Sequence, residues 1–191
     1  MDKYDVKKAH KPLYSGRTDF AVIDVPTLQF IQVDGRGDPN TAPAYVRAVE
    51  ALYGVAYTVK FASKAQGRDF VVAPLEGLWW APDPSVFTAL EKDAWNWTMM
   101  ISQPEWVTPA MVADACGTAA AKRPNEAIAK VRLRSLTEAA RSRSCTSAPT
   151  GTRGPPSPGC TTSTCPRTAC TSTASTTRSI SVTRGAPRRP N

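Results

Sequence analysis

Two short segments of this sequence combine aromatic, sulfur-containing and acidic side chains that could bind a small molecule. Residues 76–80 carry Glu76 and two adjacent Trp, and residues 95–100 alternate Trp and Met with polar residues. Trp faces attract flat or cationic guests through stacking and cation–π attraction, and Met adapts to irregular ligand shapes. A carboxylate among apolar rings favours a positively charged guest. If the two segments pair as strands, they predict a pocket for planar or cationic compounds.

The spacing of the Trp residues leaves open whether they line a pocket or fill the core. Trp79 and Trp80 are neighbours, so on a strand they point to opposite faces and at most one of them lines a given face. We interpret Cys116 as a small residue of the core. The other cysteines lack the paired short spacing of metal sites, and His10 is the only histidine, so we predict neither a metal nor a cofactor.

Hydrophobic periodicity predicts the elements that would position these side chains. Residues 94–101 alternate as a pleated strand does, and residues 41–64 carry apolar side chains at three- and four-residue steps, with Thr41 as the expected cap. The other predicted elements are strands over 20–33 (interrupted at Pro26), 70–80 and 131–136, and a helix over 108–121. The order β-α-β-β-α-β is typical of an α+β fold, preceded by a Lys-rich lead-in of about 18 residues.

The last 53 residues differ in composition from the rest. All 16 Asp and Glu lie at or before Glu138 and are balanced by the Lys and Arg of the same stretch, so the formal excess of +8 belongs to the tail. Every Trp, Tyr and Phe lies at or before Trp106. Such a tail cannot bury enough apolar area to offset a chain entropy of roughly 1–2 kcal/mol per residue. We therefore divide the chain into a folded domain, 1–138, and a disordered Ser/Thr/Pro/Arg-rich tail, 139–191.

Two origins of the tail fit its composition. One is a real Ser/Thr/Pro-rich stalk. The other is a GC-rich gene read in the wrong frame, since a one-base shift from about Ala139 turns Thr codons into His, Asn, Asp or Tyr codons and Cys codons into Leu, Met or Val codons. With favourable codon choices the shifted tail regains acids, aromatics and strand-like alternation. We interpret residues 139–191 as a frameshift product.

Several motifs of the first 138 residues together resemble GyrI-like (gyrase-inhibitor-like) small-molecule-binding proteins. They are residues 30–40 (FIQVDGRGDPN), 49–57 (VEALYGVAY), 74–80 (PLEGLWW), 93–101 (DAWNWTMMI) and 103–104 (QP). The resemblance implies a duplicated β-α-β-β (SHS2-like) unit with a central ligand cleft. The second half would be missing beyond its start, and the exposed edge and apolar face predict poor folding or homodimerisation through that face.

The resemblance also implies a function. GyrI-like proteins bind amphiphilic, often aromatic or cationic compounds, and some look like hydrolases that open the cyclopropane of DNA-alkylating natural products. We expect a small-molecule-binding protein, inactive if the frameshift removes half of the cleft, with hydrolysis as the alternative and no catalytic residue assigned. The ligand-binding candidates carried over by motif are Tyr57, Glu76, Trp79, Trp80, Trp97 and Met99.

Charge and hydropathy bear on the other partners. The Arg residues of the tail are scattered and lack interleaved aromatics, so we expect no specific nucleic-acid partner, although 8 Arg could attract one non-specifically. No run reaches the ~18 apolar residues that a membrane span needs. The chain opens with charged and polar residues rather than a signal peptide, which predicts a cytoplasmic protein.

Overall fold

The computed structural model describes residues 3–14, 21–137 and 141–143. The α-helices are α1 (Val6–Ala9), α2 (Lys11–Tyr14), α3 (Pro43–Ala65), α4 (Ser85–Thr88) and α5 (Pro109–Lys122), with single 3-10 turns at Lys92–Ala94 and Glu126–Lys130. The strands are β1 (Ala21–Ile23), β2 (Leu28–Arg36), β3 (Leu75–Trp80), β4 (Asn96–Gln103), β5 (Arg132–Leu136) and β6 (Arg141–Arg143). This arrangement confirms the α+β class.

One antiparallel sheet of four strands organises the domain. Its order is β3-β4-β2-β5, so β4 and β2 are central and β3 and β5 are the edges. Strand β4 pairs with β2 from Asn96 to Gln103 and with β3 from Asn96 to Ile101. β1 and β6 form a separate two-stranded antiparallel sheet. The β-α-β-β order of β2, α3, β3 and β4 follows the predicted order.

The main core lies between the sheet and the helices α3 and α5. Helix α3 forms where the periodicity predicts it, and it buries apolar side chains at three- and four-residue steps. This core includes Ile31, Val33, Leu52, Val55, Val59, Trp97, Met99 and Ile101. Burying a large aliphatic or aromatic side chain contributes about 1.5–3 kcal/mol, so this layer dominates the stability of the domain.

The two long helices begin in different ways. The Thr108 side chain caps α5, where its Oγ1 accepts a hydrogen bond from the Met111 N–H at 3.2 Å, and the helix begins within one residue of its predicted start. The predicted cap at Thr41 is wrong. Helix α3 starts at Pro43, its cap residue is Ala42, and no side chain caps it. Proline is tolerated there because the first helical N–H has no partner within the helix.

The strand boundaries also differ from the prediction in part. The break between β1 and β2 spans Pro26, as expected. Strand β2 continues through Asp34 to Arg36, three residues beyond its predicted end at residue 33, and the chain turns at Gly37, whose φ of +112° favours glycine. Strand β3 starts only at Leu75, and Phe70 instead forms an isolated parallel bridge to Tyr4 of the lead-in segment.

The lead-in segment belongs to the fold rather than preceding it. Val6 of α1 is buried in the main core, and the Tyr4 ring meets Trp106 edge-on with centroids 5.3 Å apart. The Asp69 carboxylate accepts a hydrogen bond from Lys60 Nζ at 2.6 Å, and this contact lowers the pKa of Asp69.

Only a small part of the predicted tail falls within the described residues. Its residues Arg141–Arg143 form β6 and pair with β1, where the sequence predicts disorder. Backbone hydrogen bonds to β1 do not depend on apolar side chains, so the composition of the tail gives no signal for them. The remainder of the tail, and with it the frameshift hypothesis, lies outside the described residues.

Two glycines make room for bulky side chains of the central strand. Gly35 faces Trp97 across the β2–β4 pair, and Gly77 faces Met99 across the β3–β4 pair. A Cβ at Gly35 would lie 2.1 Å from Trp97 Cη2, and one at Gly77 would lie 2.1 Å from Met99 Cε. Both distances are far below van der Waals contact. These positions therefore accept only glycine unless a buried neighbour moves.

We predict that Gly35→Ala lowers the free energy of unfolding by about 1–3 kcal/mol or more, because the rigid Trp97 ring cannot leave its buried site. Gly77→Ala costs less, since a Met side chain changes rotamer more easily. Gly117→Ala is the control: this exposed position on α5 has open space around it, and alanine there stabilises by roughly 0.5–1 kcal/mol. Urea unfolding followed by far-UV circular dichroism measures all three, and equal stability of the Gly35 and Gly117 variants would contradict the prediction.

Candidate functional site

The sheet has a second face, opposite α3 and α5, which we call the open face. Side chains alternate along each strand, so Glu76, Leu78 and Trp80 of β3 share this face with Met100 and its alternate neighbours on β4. A smaller buried apolar cluster covers part of the face: Leu13, Leu28, Phe30, Leu78 and Met100. Helix α2 supplies Leu13 and thus lies over the open face rather than in the main core.

Glu76 lies at the edge of this apolar cluster. It stands opposite Met100 in the β3–β4 pair and is half-buried. The Tyr14 hydroxyl donates a hydrogen bond to Glu76 Oε1 at 2.8 Å, which joins α2 to the sheet and orients the carboxylate. The sequence gives no signal for Tyr14 at this site, because 62 positions separate it from Glu76 and the lead-in segment carries no periodic pattern.

A second carboxylate, Asp34, lies on the same face. Thr98 Oγ1 donates to Asp34 Oδ1 at 2.7 Å, and Arg132 of β5 forms an ion pair with Asp34 Oδ2. Strands β2 and β3 flank β4, and Glu76 lies two residues from Leu78, the β3 residue that is level with Asp34, so Asp34 and Glu76 lie roughly 12 Å apart across the sheet. Alternate residues of a strand share a face. Because Phe30 lies on the open face, this alternation alone places Asp34, four residues later, on the same face.

Trp80 is the last residue of β3 on the open face, and it lies next to a shallow groove. The groove has a volume of about 360 Å³ and is lined in part by Arg36, Trp80, Asp83 and Asn96. Hydrogen bonds from the Ser85 hydroxyl and N–H lower the pKa of Asp83, so its carboxylate is anionic at neutral pH. The groove thus places an aromatic ring beside a guanidinium and a carboxylate.

Three of the predicted site residues lie on the other side of the sheet. Trp97 and Met99 are 1% and 2% exposed and pack in the main core, while Trp79 is half-buried at its margin. Trp79 stacks on Tyr45 with ring centroids 6.2 Å apart, and Trp97 meets the same Tyr45 ring edge-on at 5.3 Å. Burial raises the pKa of Tyr45. This aromatic group anchors the start of α3 to the sheet.

Tyr57, the sixth predicted residue, lies on the solvent side of α3 and is 49% exposed. Its ring stacks on Tyr53, one turn earlier, with centroids 6.4 Å apart. The structure therefore brings together only Glu76 and Trp80 on the open face. The six residues do not line a single pocket, because the strand pleat separates neighbouring side chains and α3 carries Tyr57 away from the sheet.

Within the part of the chain that the structure describes, His, Cys, Asp and Glu nowhere gather in a group of three that could hold a metal. Cys116 is a free, half-buried thiol, and burial raises its pKa. No helix among the described residues combines the length and apolar character needed to cross a membrane.

Three solved structures from Listeria innocua are similar to this α+β chain. An uncharacterized conserved protein is 36% identical over 72% of this chain and 69% of its own, with a TM-score of 0.67. A hydrolase is 38% identical over 72% and 68%, with a TM-score of 0.63. Another hydrolase structure is 37% identical over 73% and 69%, with a TM-score of 0.64.

Such identity over more than two thirds of each relative exceeds what a shared fold alone requires. The chain belongs to the same family as these Listeria innocua proteins. No family model and no curated protein sequence matches the chain.

Proposed function

We propose that the open face binds a flat, amphiphilic cation, in the manner expected of a GyrI-like protein. The observation that carries this proposal is the position of Glu76, a half-buried carboxylate at the edge of a buried apolar cluster. Apolar surface attracts the body of an amphiphile, and the carboxylate attracts its positive charge more strongly than it would in bulk water. The hydrogen bond from Tyr14 holds the carboxylate in one orientation.

Trp80 extends this surface. It lies on the same strand and the same face as Glu76, four residues further along, which corresponds to roughly 13 Å. That separation suits a ligand of three or four fused rings, with its flat part on Trp80 and its charge near Glu76. Stacking on an indole face contributes about 0.5–1.5 kcal/mol beyond area burial.

We expect Glu76→Gln to weaken binding of N-methylacridinium about tenfold, equivalent to about 1.4 kcal/mol. Binding of acridine, which has the same shape but is uncharged in mildly alkaline buffer, should be unchanged. Fluorescence titration of the full chain measures both affinities. The matched control is Glu105→Gln, an exposed carboxylate outside the open face. Equal losses for both ligands, or a loss in the control, would contradict a charge-specific role for Glu76.

Hydrolysis is the second candidate function, and a specific contact favours it. Glu76 and Tyr14 form a carboxylate–phenol pair on the open face, and two of the relatives are hydrolases. A carboxylate within hydrogen-bond reach of a water can act as a general base, and a phenol can orient the same water or donate a proton. The family resemblance suggests a cyclopropane fused to a conjugated carbonyl as the substrate.

The residues support a balanced reaction. Water attacks the cyclopropane methylene and forms a C–O bond, while Glu76 accepts the proton that the water loses. The ring C–C bond breaks, and its electron pair moves into the conjugated system to give a phenolate. That phenolate takes up a proton and leaves as a phenol, so no oxidant, reductant or cofactor is consumed.

A simple spirocyclopropyl cyclohexadienone tests this candidate, because ring opening abolishes its dienone absorbance. The full chain should accelerate the loss of absorbance over buffer. Glu76→Gln should lower the rate about a hundredfold or more, in the range of general base catalysis, and Tyr14→Phe should lower it less. A rate equal to that of buffer, or full activity of Glu76→Gln, would exclude this role and leave the binding proposal intact.

A further inference from the structure

The solvent side of α3 carries an apolar stripe formed by Val46, Tyr53, Tyr57 and Phe61. Val46, Tyr57 and Phe61 are 54%, 49% and 61% exposed, and Tyr53 is half-buried. At about 100° per residue Val46, Tyr57 and Phe61 lie opposite the buried side of the helix, and Tyr53 lies at the edge of the stripe, where its ring also packs against the main core. They form one continuous ridge of roughly 22 Å. A surface helix normally presents polar residues on this side, so the stripe needs an explanation.

The charged residues around the stripe indicate which kind of partner can pack against it. Arg47 pairs with Glu126, and Lys60 pairs with Asp69, so these flanking cations are neutralised within their own chain. Among the described residues, Glu50 and Lys64 form no such pair, although both are exposed and lie on the stripe side of α3. The stripe therefore has an unpaired anion near one end and an unpaired cation near the other.

We propose that this stripe is the interface of a homodimer in which two α3 helices pack antiparallel. A twofold axis at Tyr57 stacks this residue on its own copy and brings Tyr53 opposite Phe61 of the partner subunit. The same axis brings Glu50 opposite Lys64 of the partner subunit. Every contact of a twofold interface occurs twice, so one pairing satisfies all four unpaired charges.

The pattern is specific to a second copy of this chain. An arbitrary partner helix would need its own matching charges, whereas Glu50 and Lys64 stand at equal distances on either side of Tyr57 in the sequence. The aromatic residues at steps of four form the ridge that packs into the groove of a facing helix. Aromatic side chains are also enriched at the buried centres of protein interfaces. This interface lies on the far side of α3 from the open face and does not depend on its ligand.

Sedimentation velocity of the full chain over a range of concentrations tests the proposal. The wild-type chain should show a concentration-dependent monomer–dimer equilibrium. Tyr57→Glu places two like charges at the axis and should raise the dissociation constant by about tenfold or more. Leu90→Glu is the control, since it introduces the same charge at a residue that is 53% exposed on the β3–β4 connection. Near-UV circular dichroism checks that each variant keeps its native packing.

Charge reversal tests the antiparallel pairing itself. Glu50→Lys and Lys64→Glu should each weaken the dimer, and the double variant should restore the wild-type dissociation constant to within about twofold, because the pairs re-form with opposite polarity. A chain that stays monomeric at every concentration overturns the proposal, as does a dimer that survives Tyr57→Glu. Failure of the double reversal to restore association overturns the antiparallel arrangement.

Discussion

The Trp97 indole lies over Gly35, in the space that a side chain on β2 would otherwise occupy. The other helix-side residues of the sheet depend on this contact. Trp97 is 1% exposed and meets Tyr45 at the start of α3, and Met99 uses Gly77 on the opposite neighbour strand in the same way. Central strand β4 can therefore carry bulky side chains at successive helix-side positions while both flanking strands stay in register. The indole Nε1 has no hydrogen-bond partner among the described residues, a cost of about 1–3 kcal/mol that packing must exceed.

Because the sheet is pleated, side chains that are adjacent in sequence lie on opposite faces and have different roles. Trp79 and Trp97 build the core and attach α3, whereas Trp80 and Glu76 face away from α3 and α5. Two carboxylates, a phenol and an apolar cluster meet on the open face because β2, β3 and α2 all contribute to it. The packed core on the helix side of the sheet holds the strands in place. The polar groups that could contact a ligand lie on the open face. The outward stripe of α3 is a third surface, separated from the open face by the sheet.

Periodicity predicted the positions of α3 and α5 and the alternation of β4, and Pro26 indicated the break between β1 and β2. It failed where non-local contacts decide the structure. Asp34 sits in a run rich in glycine that resembles a turn, yet pairing with β4 extends the strand through it. Tyr14 reaches Glu76 only through tertiary packing. Motif resemblance predicted Trp97 and Met99 as site residues, and the structure places both side chains in the main core, which a motif shared by sequence cannot indicate.

If ligand binds the open face as we propose, the helix side of the sheet stays untouched. Incorporating 5-fluorotryptophan gives one fluorine resonance for each of the five Trp residues, assignable by single Trp→Phe variants. On titration with N-methylacridinium, the Trp80 resonance should shift and broaden, while the Trp97 resonance stays in place because that ring is sealed in the core. A shift of Trp97 with no change at Trp80 would contradict the account and move the ligand to the helix side of the sheet.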